Sequence, residues 1–114
     1  MLQNTETSMA TTLKYSRREA HEVTFGGVKI GSTHPIAVQS MTNTPTADVA
    51  LSVEQTKRIA EAGAEIVRLT AQGKKEGEAL GPIMEQLRKE GCTAAIVADI
   101  HFTPEIAMIA AEAV

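Results

Sequence analysis

The sequence predicts an α/β fold in which short buried strands alternate with amphipathic helices, and three observations carry that reading. Apolar runs beginning at Ile36, Glu65 and Ala94 recur every 29 residues, close to the roughly 30 residues of a strand-helix-strand unit with parallel strands. The segments between them repeat their apolar residues at helical spacing. Each run also ends in polar side chains rather than in more Val or Ile: Gln39 and Ser40 after the first, Thr70 after the second, Asp99 and His101 after the third.

Taken in order, residues 1–22 are rich in Thr, Ser and charge and are expected to form a flexible tail. Val23-Thr24-Phe25 and Val28-Lys29-Ile30 flank Gly26-Gly27, a pair suited to the left-handed backbone of a two-residue hairpin turn. Ile36 to Ser40 is too short for a helix and reads as a buried strand. Asp48 can cap a helix over residues 49–62, with Val49, Val53, Thr56 and Ala60 on one face and Gly63 as its stop. A second strand covers residues 65–70. After a loop over residues 71–77 comes a helix over residues 78–90, whose Leu80, Ile83, Met84 and Leu87 form one apolar stripe, closed by Gly91. Residues 94–99 are the third strand. Pro104 suits the first turn of a third helix, with Ile106, Ile109, Ala110 and Ala113 as its buried face, running to the end of the chain.

Composition limits what this arrangement can be. The chain has 114 residues, room for one small domain; 43% are hydrophobic and 22% charged, which excludes a mainly disordered polymer. Only 3% are aromatic and none is Trp, so the core is aliphatic. A net charge of −3 provides no electrostatic reason to expect nucleic acid or an anionic membrane as partner. No apolar run approaches the roughly 20 residues of a membrane span, and the start lacks both a secretory core and a transit-type segment. Cys92 is the single cysteine. It permits no internal disulfide and no Cys-rich zinc or iron-sulfur site from these residues alone, which fits a reducing cytosol.

Two architectures accept the pattern, an eight-stranded barrel of about 250 residues and an open doubly wound sheet. The open nucleotide-binding sheet is the weaker, because no G-x-G-x-x-G follows a strand, and Arg68 rather than Gly stands five residues before Gly73-Lys74. In either case ligands sit beyond the carboxyl ends of the strands. There Gln39, Ser40, Met41, Thr42 and Asn43 offer groups that could orient a hydroxylated or phosphorylated ligand, or could simply satisfy their own loop. Arg68 stands between Val67 and Leu69, where its guanidinium needs a partner: the oxygens of a phosphate, or Asp99 on the next strand. Alternation sends Asp99 and His101 to one face and Ile100 to the other. The pair could orient a ligand, move protons or form a satisfied structural contact. His21, His34, Cys92 and the Lys74-Lys75 pair are read as solvated or packing residues.

The stretches Pro35 to Thr44, Ala64 to Thr70 and Val97 to Phe102, in this order and spacing, resemble the amino-terminal signature of the 4-hydroxy-3-methylbut-2-enyl diphosphate synthase family, over roughly residues 17–114. Arg68-Leu69-Thr70-Ala71-Gln72-Gly73 is similar to the larger, insert-bearing form of that family. The resemblance implies the first three βα units of a TIM-type (β/α)8 barrel behind an N-terminal β-hairpin. It implies a parent enzyme that reductively dehydrates 2-C-methyl-D-erythritol 2,4-cyclodiphosphate in the methylerythritol phosphate route to isoprenoids. A [4Fe-4S] cluster held by three Cys and one Glu in a later domain, a homodimer, and ferredoxin or flavodoxin as electron donor come with it. On this reading Arg68 contacts the diphosphate, and Gln39, Ser40, Met41, Asp99 and His101 line the pocket. The cluster ligands lie outside the chain, and the chain by itself is expected to be inert. A different phosphate-binding barrel, such as a pterin-related synthase or a lyase, and a free-standing α/β binding module are the alternatives.

Overall fold

The computed structural model describes residue 16 and residues 18–114; the flexible tail expected over residues 1–22 falls largely outside them, and residues 18–22 form neither helix nor strand. An antiparallel hairpin, β1 (Val23–Phe25) and β2 (Val28–Ile30), comes first. Its turn places Gly26 at φ +54 and Gly27 at φ +82, left-handed values that cost a side-chain-bearing residue about 1–2 kcal/mol. A separate parallel sheet follows in the order β3 (Gln39–Met41), β4 (Ile66–Ala71), β5 (Ala95–Ile100). The connecting helices are α1 (Val49–Glu61) and α2 (Lys74–Lys89), with α3 (Glu105–Ala111) after β5.

All the helices whose residues enter the core bury them against one face of the sheet. Val67, Leu69 and Ala71 of β4 and Ile96 of β5 meet Val53 of α1, Leu80, Ile83 and Leu87 of α2, and Ile106 and Ala110 of α3 in a single cluster. Leu80, Ile83 and Leu87 are fully buried, each such side chain stabilising the fold by about 1.5–3 kcal/mol. Asp48 caps α1 as expected, its Oδ1 accepting from the Leu51 N–H at 3.1 Å. Gly63, at φ +117, carries the chain from the end of α1 toward β4.

Three expectations need correction. The first strand is neither as long nor as buried as its composition suggests: β3 begins only at Gln39, and Ile36 and Val38 are 87% and 52% exposed. Among the described residues it pairs on one side only, with β4, and all three of its residues are exposed. The second helix starts at Lys74, not at residue 78, so Lys74 and Lys75 belong to its first turn. Gly73 is its extended N-cap, and Glu76 complements the partial positive charge of the helix start. Gly77 is helical because the helix packs closely there: a Cβ at this position would lie 2.8 Å from Ile106 Cγ2. Finally, α3 ends at Ala111 with Glu112 as its cap.

The other face of the sheet carries Ile66, Arg68 and Thr70 of β4 beside Ala95, Val97 and Asp99 of β5. At its amino-terminal edge the hairpin turn closes on it. A Cβ on Gly26 would stand 2.6 Å from Ala95 Cβ and 2.9 Å from its Cα, so only glycine permits the approach. Ile66 and Ala95 are buried there, outside the helix-side cluster.

Candidate functional site

Parallel register stacks the hairpin-side face in rows. Gln39, Ile66 and Ala95 form the lowest row, and Met41, Arg68 and Val97 the next. Thr70 and Asp99 lie above them. One step past the ladder, where Ala71 pairs with Ile100, Gln72 meets His101. Side chains that alternate in sequence thus converge at the carboxyl end of the strands.

Arg68 reaches diagonally up to Asp99, donating Nη2 at 2.7 Å and Nε at 3.1 Å to the same Oδ2. The ion pair foreseen as the structural alternative for Arg68 therefore exists. It does not exhaust the guanidinium. Of five N–H donors these bonds use two, and the Arg68 side chain stays 41% exposed against 16% for Asp99. Among the described residues Nη1 has no hydrogen-bond partner, which leaves it to another acceptor on the open face. Asp99 turns its other oxygen, Oδ1, to His101 Nε2 at 3.1 Å. The Arg68 hydrogen bonds first, then that from His101, hold the Asp99 carboxyl below the usual carboxylate range against the opposing effect of desolvation. His101 Nδ1 in turn lies 3.2 Å from the Gln72 side-chain amide.

The turn after β5 is strained where it presents this group. Phe102 has φ +63, and Thr103 donates its N–H to the His101 carbonyl at 2.9 Å across it, the uncommon hand of a three-residue turn. Strain of this kind, of order 1–3 kcal/mol, concentrates at functional loops. The Phe102 ring is fully exposed, edge-on to His101 with centroids 5.7 Å apart.

Of the residues singled out from sequence, Arg68, Asp99 and His101 are joined by hydrogen bonds, and Met41 stands beside Arg68 in register. Gln39 sits one row lower, in a cleft of about 410 Å³ with His34, Pro35 and Ile36. Ser40 is in register with Val67 and so lies on the opposite, helix-side face; the structure does not bring it to the group. The β3-to-α1 loop largely satisfies itself. Asn43 exchanges two bonds with the Gln55 side chain, at 2.7 and 2.6 Å, and Ser52 Oγ donates to the Pro45 carbonyl at 3.0 Å. Gln72 and Phe102 were missed. Gln72 was legible only as the register partner of His101, which requires the strand pairing to be known.

A larger cleft of about 650 Å³ opens at the opposite end of the sheet, among Gly26, Lys57, Glu90 and Cys92. Lys57 and Glu90 span it with an ion pair at 2.7 Å, which raises the Lys57 pKa and lowers that of Glu90. Among the described residues no group of three His, Cys, Asp or Glu side chains is placed to hold a metal ion. With one cysteine in the sequence, an iron-sulfur cluster does not fit this segment. No helix among the described residues is long and apolar enough to cross a membrane.

A family model described as the GcpE TIM-barrel domain matches residues 20–114. The chain is 53% identical over 98 residues to a 4-hydroxy-3-methylbut-2-en-1-yl diphosphate synthase (flavodoxin) of Bacteroides fragilis, covering 86% of the chain and 16% of that protein. Its counterpart in Leptospira interrogans is 45% identical over 102 residues, with 90% and 15% covered. A 4-hydroxy-3-methylbut-2-en-1-yl diphosphate synthase (ferredoxin), chloroplastic, of Oryza sativa is 46% identical over 96 residues, with 84% and 13% covered. The chain thus spans about a sixth or less of the length of these curated relatives.

Proposed function

Because the chain belongs to the GcpE TIM-barrel domain family, we propose that it forms the substrate-binding beginning of a 4-hydroxy-3-methylbut-2-enyl diphosphate synthase acting on 2-C-methyl-D-erythritol 2,4-cyclodiphosphate. The observation that carries the reading is Arg68: a permanently charged fork on the open face of β4, braced by Asp99 and with donors to spare. Asp99 sets the direction of the guanidinium, so that the free Nη1 edge meets phosphoryl oxygens without first losing rotamer freedom. Met41 lends an apolar wall beside Arg68, and Gln39 reaches the same face from one row below. His101, held through Nε2 by Asp99, lines the upper rim.

The reductive chemistry would belong to a [4Fe-4S] cluster whose ligands these 114 residues do not supply. The relatives' names carry flavodoxin and ferredoxin, and one of these two small redox proteins is the proposed electron donor. A homodimer in the bacterial cytoplasm completes the reading, and the isolated segment is proposed to lack turnover.

The deciding experiment expresses the full reading frame anaerobically, records iron content and absorption spectrum, and assays reduction of the cyclodiphosphate with this full chain and with its Arg68→Ala variant. An oxygen-sensitive cluster together with turnover that Arg68→Ala weakens mainly through KM is the expected result. A properly reconstituted full chain with neither cluster nor turnover would overturn the assignment.

A further inference from the structure

We propose that Gln72 is a positioning residue of the Arg68–Asp99–His101 group: its side-chain amide, bonded to His101 Nδ1, fixes the plane of the imidazole so that Nε2 stays aimed at Asp99 Oδ1. The inference rests on the diphosphate-site reading and gives a role to a residue that the sequence motifs contain without assigning it one.

Three observations converge on it. The β4–β5 register, continued one step beyond Ala71 and Ile100, sets Gln72 opposite His101 on the open face, so their meeting follows from the sheet and not from a chance rotamer. Both ends of the contact are anchored by backbone. Gln72 donates its N–H to Glu76 Oε1 in the first turn of α2 at 3.2 Å, and His101 donates its N–H to the Ala71 carbonyl at 3.4 Å. Third, the two imidazole nitrogens are each engaged, Nε2 with Asp99 at 3.1 Å and Nδ1 with Gln72 at 3.2 Å. A histidine at the end of a strand has a free ring torsion, and one hydrogen bond leaves the ring able to swing about it. Bonds at both nitrogens define the plane.

The donor pattern fits glutamine. Asp99, a carboxylate 2.7 Å from a guanidinium, can only accept, so His101 Nε2 carries the proton between them. Nδ1 of the neutral ring is then an acceptor and takes an N–H of the Gln72 amide. Should the ring become an imidazolium, the same amide turns over and offers its oxygen. No other uncharged side chain of this length serves both states. The ring's hold on Oδ1 in turn reserves Oδ2 for Arg68, and that division keeps the guanidinium braced with its Nη1 edge outward.

The test uses the full chain labelled with 15N-histidine. The Nε2–H resonance of His101, assigned as the signal lost in His101→Gln, is followed in the parent, in Gln72→Leu and in Gln72→Asn, whose amide falls one methylene short. Exchange of that proton with water is expected to quicken by tenfold or more in both variants. KM for the cyclodiphosphate is expected to rise about fivefold, the value of one lost hydrogen bond, with kcat nearly constant. An Nε2–H that exchanges at the parent rate in both variants overturns the proposal. Faster exchange in a full chain that never binds the cyclodiphosphate would uphold Gln72 as the residue that orients His101, and would tell against the diphosphate site instead.

Discussion

At the amino-terminal edge of the sheet, Gly26 of the hairpin turn presses on Ala95, and Ile66 and Ala95 are only 3% and 2% exposed. One to three rows higher on the same face, Arg68, Asp99 and His101 keep side-chain exposures of 41%, 16% and 32%. Alternation and register are identical at both ends; what differs is the cover and the polarity beneath it. A small apolar residue under a glycine turn can be sealed, because nothing there needs hydration. A guanidinium and a carboxylate left partly open keep water, or a ligand in its place, around their spare donors and acceptors. The sealed end serves stability, and the open end is the proposed binding site.

That division predicts different outcomes for substitutions at the two ends. Arg68→Ala should produce the largest change, lowering affinity for the cyclodiphosphate by about ten- to a hundredfold through loss of charge-assisted bonds, as measured by calorimetry on the full chain. The urea midpoint should barely move; a comparable loss of stability would mean that the two ends are not separate. Arg68→Lys keeps the charge without the fork and should restore only part of the affinity.

Gly26→Ala should do the reverse. A left-handed φ and a Cβ within contact of the Ala95 backbone should cost about 1–3 kcal/mol in urea unfolding, with ligand affinity unchanged once the protein is folded. Asp48→Ala, which removes the N-cap of α1, should cost about 1 kcal/mol. Although α1 begins at the carboxyl end of the sheet, this loss should appear in stability and not in binding, which sharpens the contrast from position to chemistry.

Acid titration probes the open end more gently. The folded pKa of Asp99 lies below its unfolded value, so its contribution is complete above about pH 4 and is lost as the pH falls through the folded pKa. Asp99→Asn should therefore flatten the stability-pH curve below about pH 4, as read from urea midpoints across the acid range. The smallest effect belongs to the Lys57–Glu90 pair across the lower cleft: Lys57→Met should leave the unfolding midpoint within experimental scatter, as expected of a solvated ion pair.

Much of this was legible without coordinates, for reasons that lie in particular residues. Gly26-Gly27 announces the hairpin because few other pairs tolerate its turn, and Asp48 announces the start of α1 because its carboxylate caps free N–H groups. The Leu80, Ile83 and Leu87 stripe announces α2 by period alone. Gly77 shows where this reasoning fails. In sequence it resembles a break between loop and helix, yet it sits inside α2 as the gap that Ile106 enters from α3. Ile36 and Val38 fail in the opposite sense: their apolarity implies a buried strand, while burial depends on a neighbour that local sequence does not describe.

The order of the elements, the apolar face of each helix and the polar endings of the strands are written in the residues, because these follow from period, capping and turn chemistry over a few positions. The sequence also carried the family signature, in the stretches Pro35 to Thr44, Ala64 to Thr70 and Val97 to Phe102 taken together. That Arg68 braces on Asp99, that Ser40 turns to the other face and that Gln72 meets His101 are properties of the assembled sheet. Each depends on the register between strands some 30 residues apart, and a shift of one residue would exchange the faces of every side chain involved.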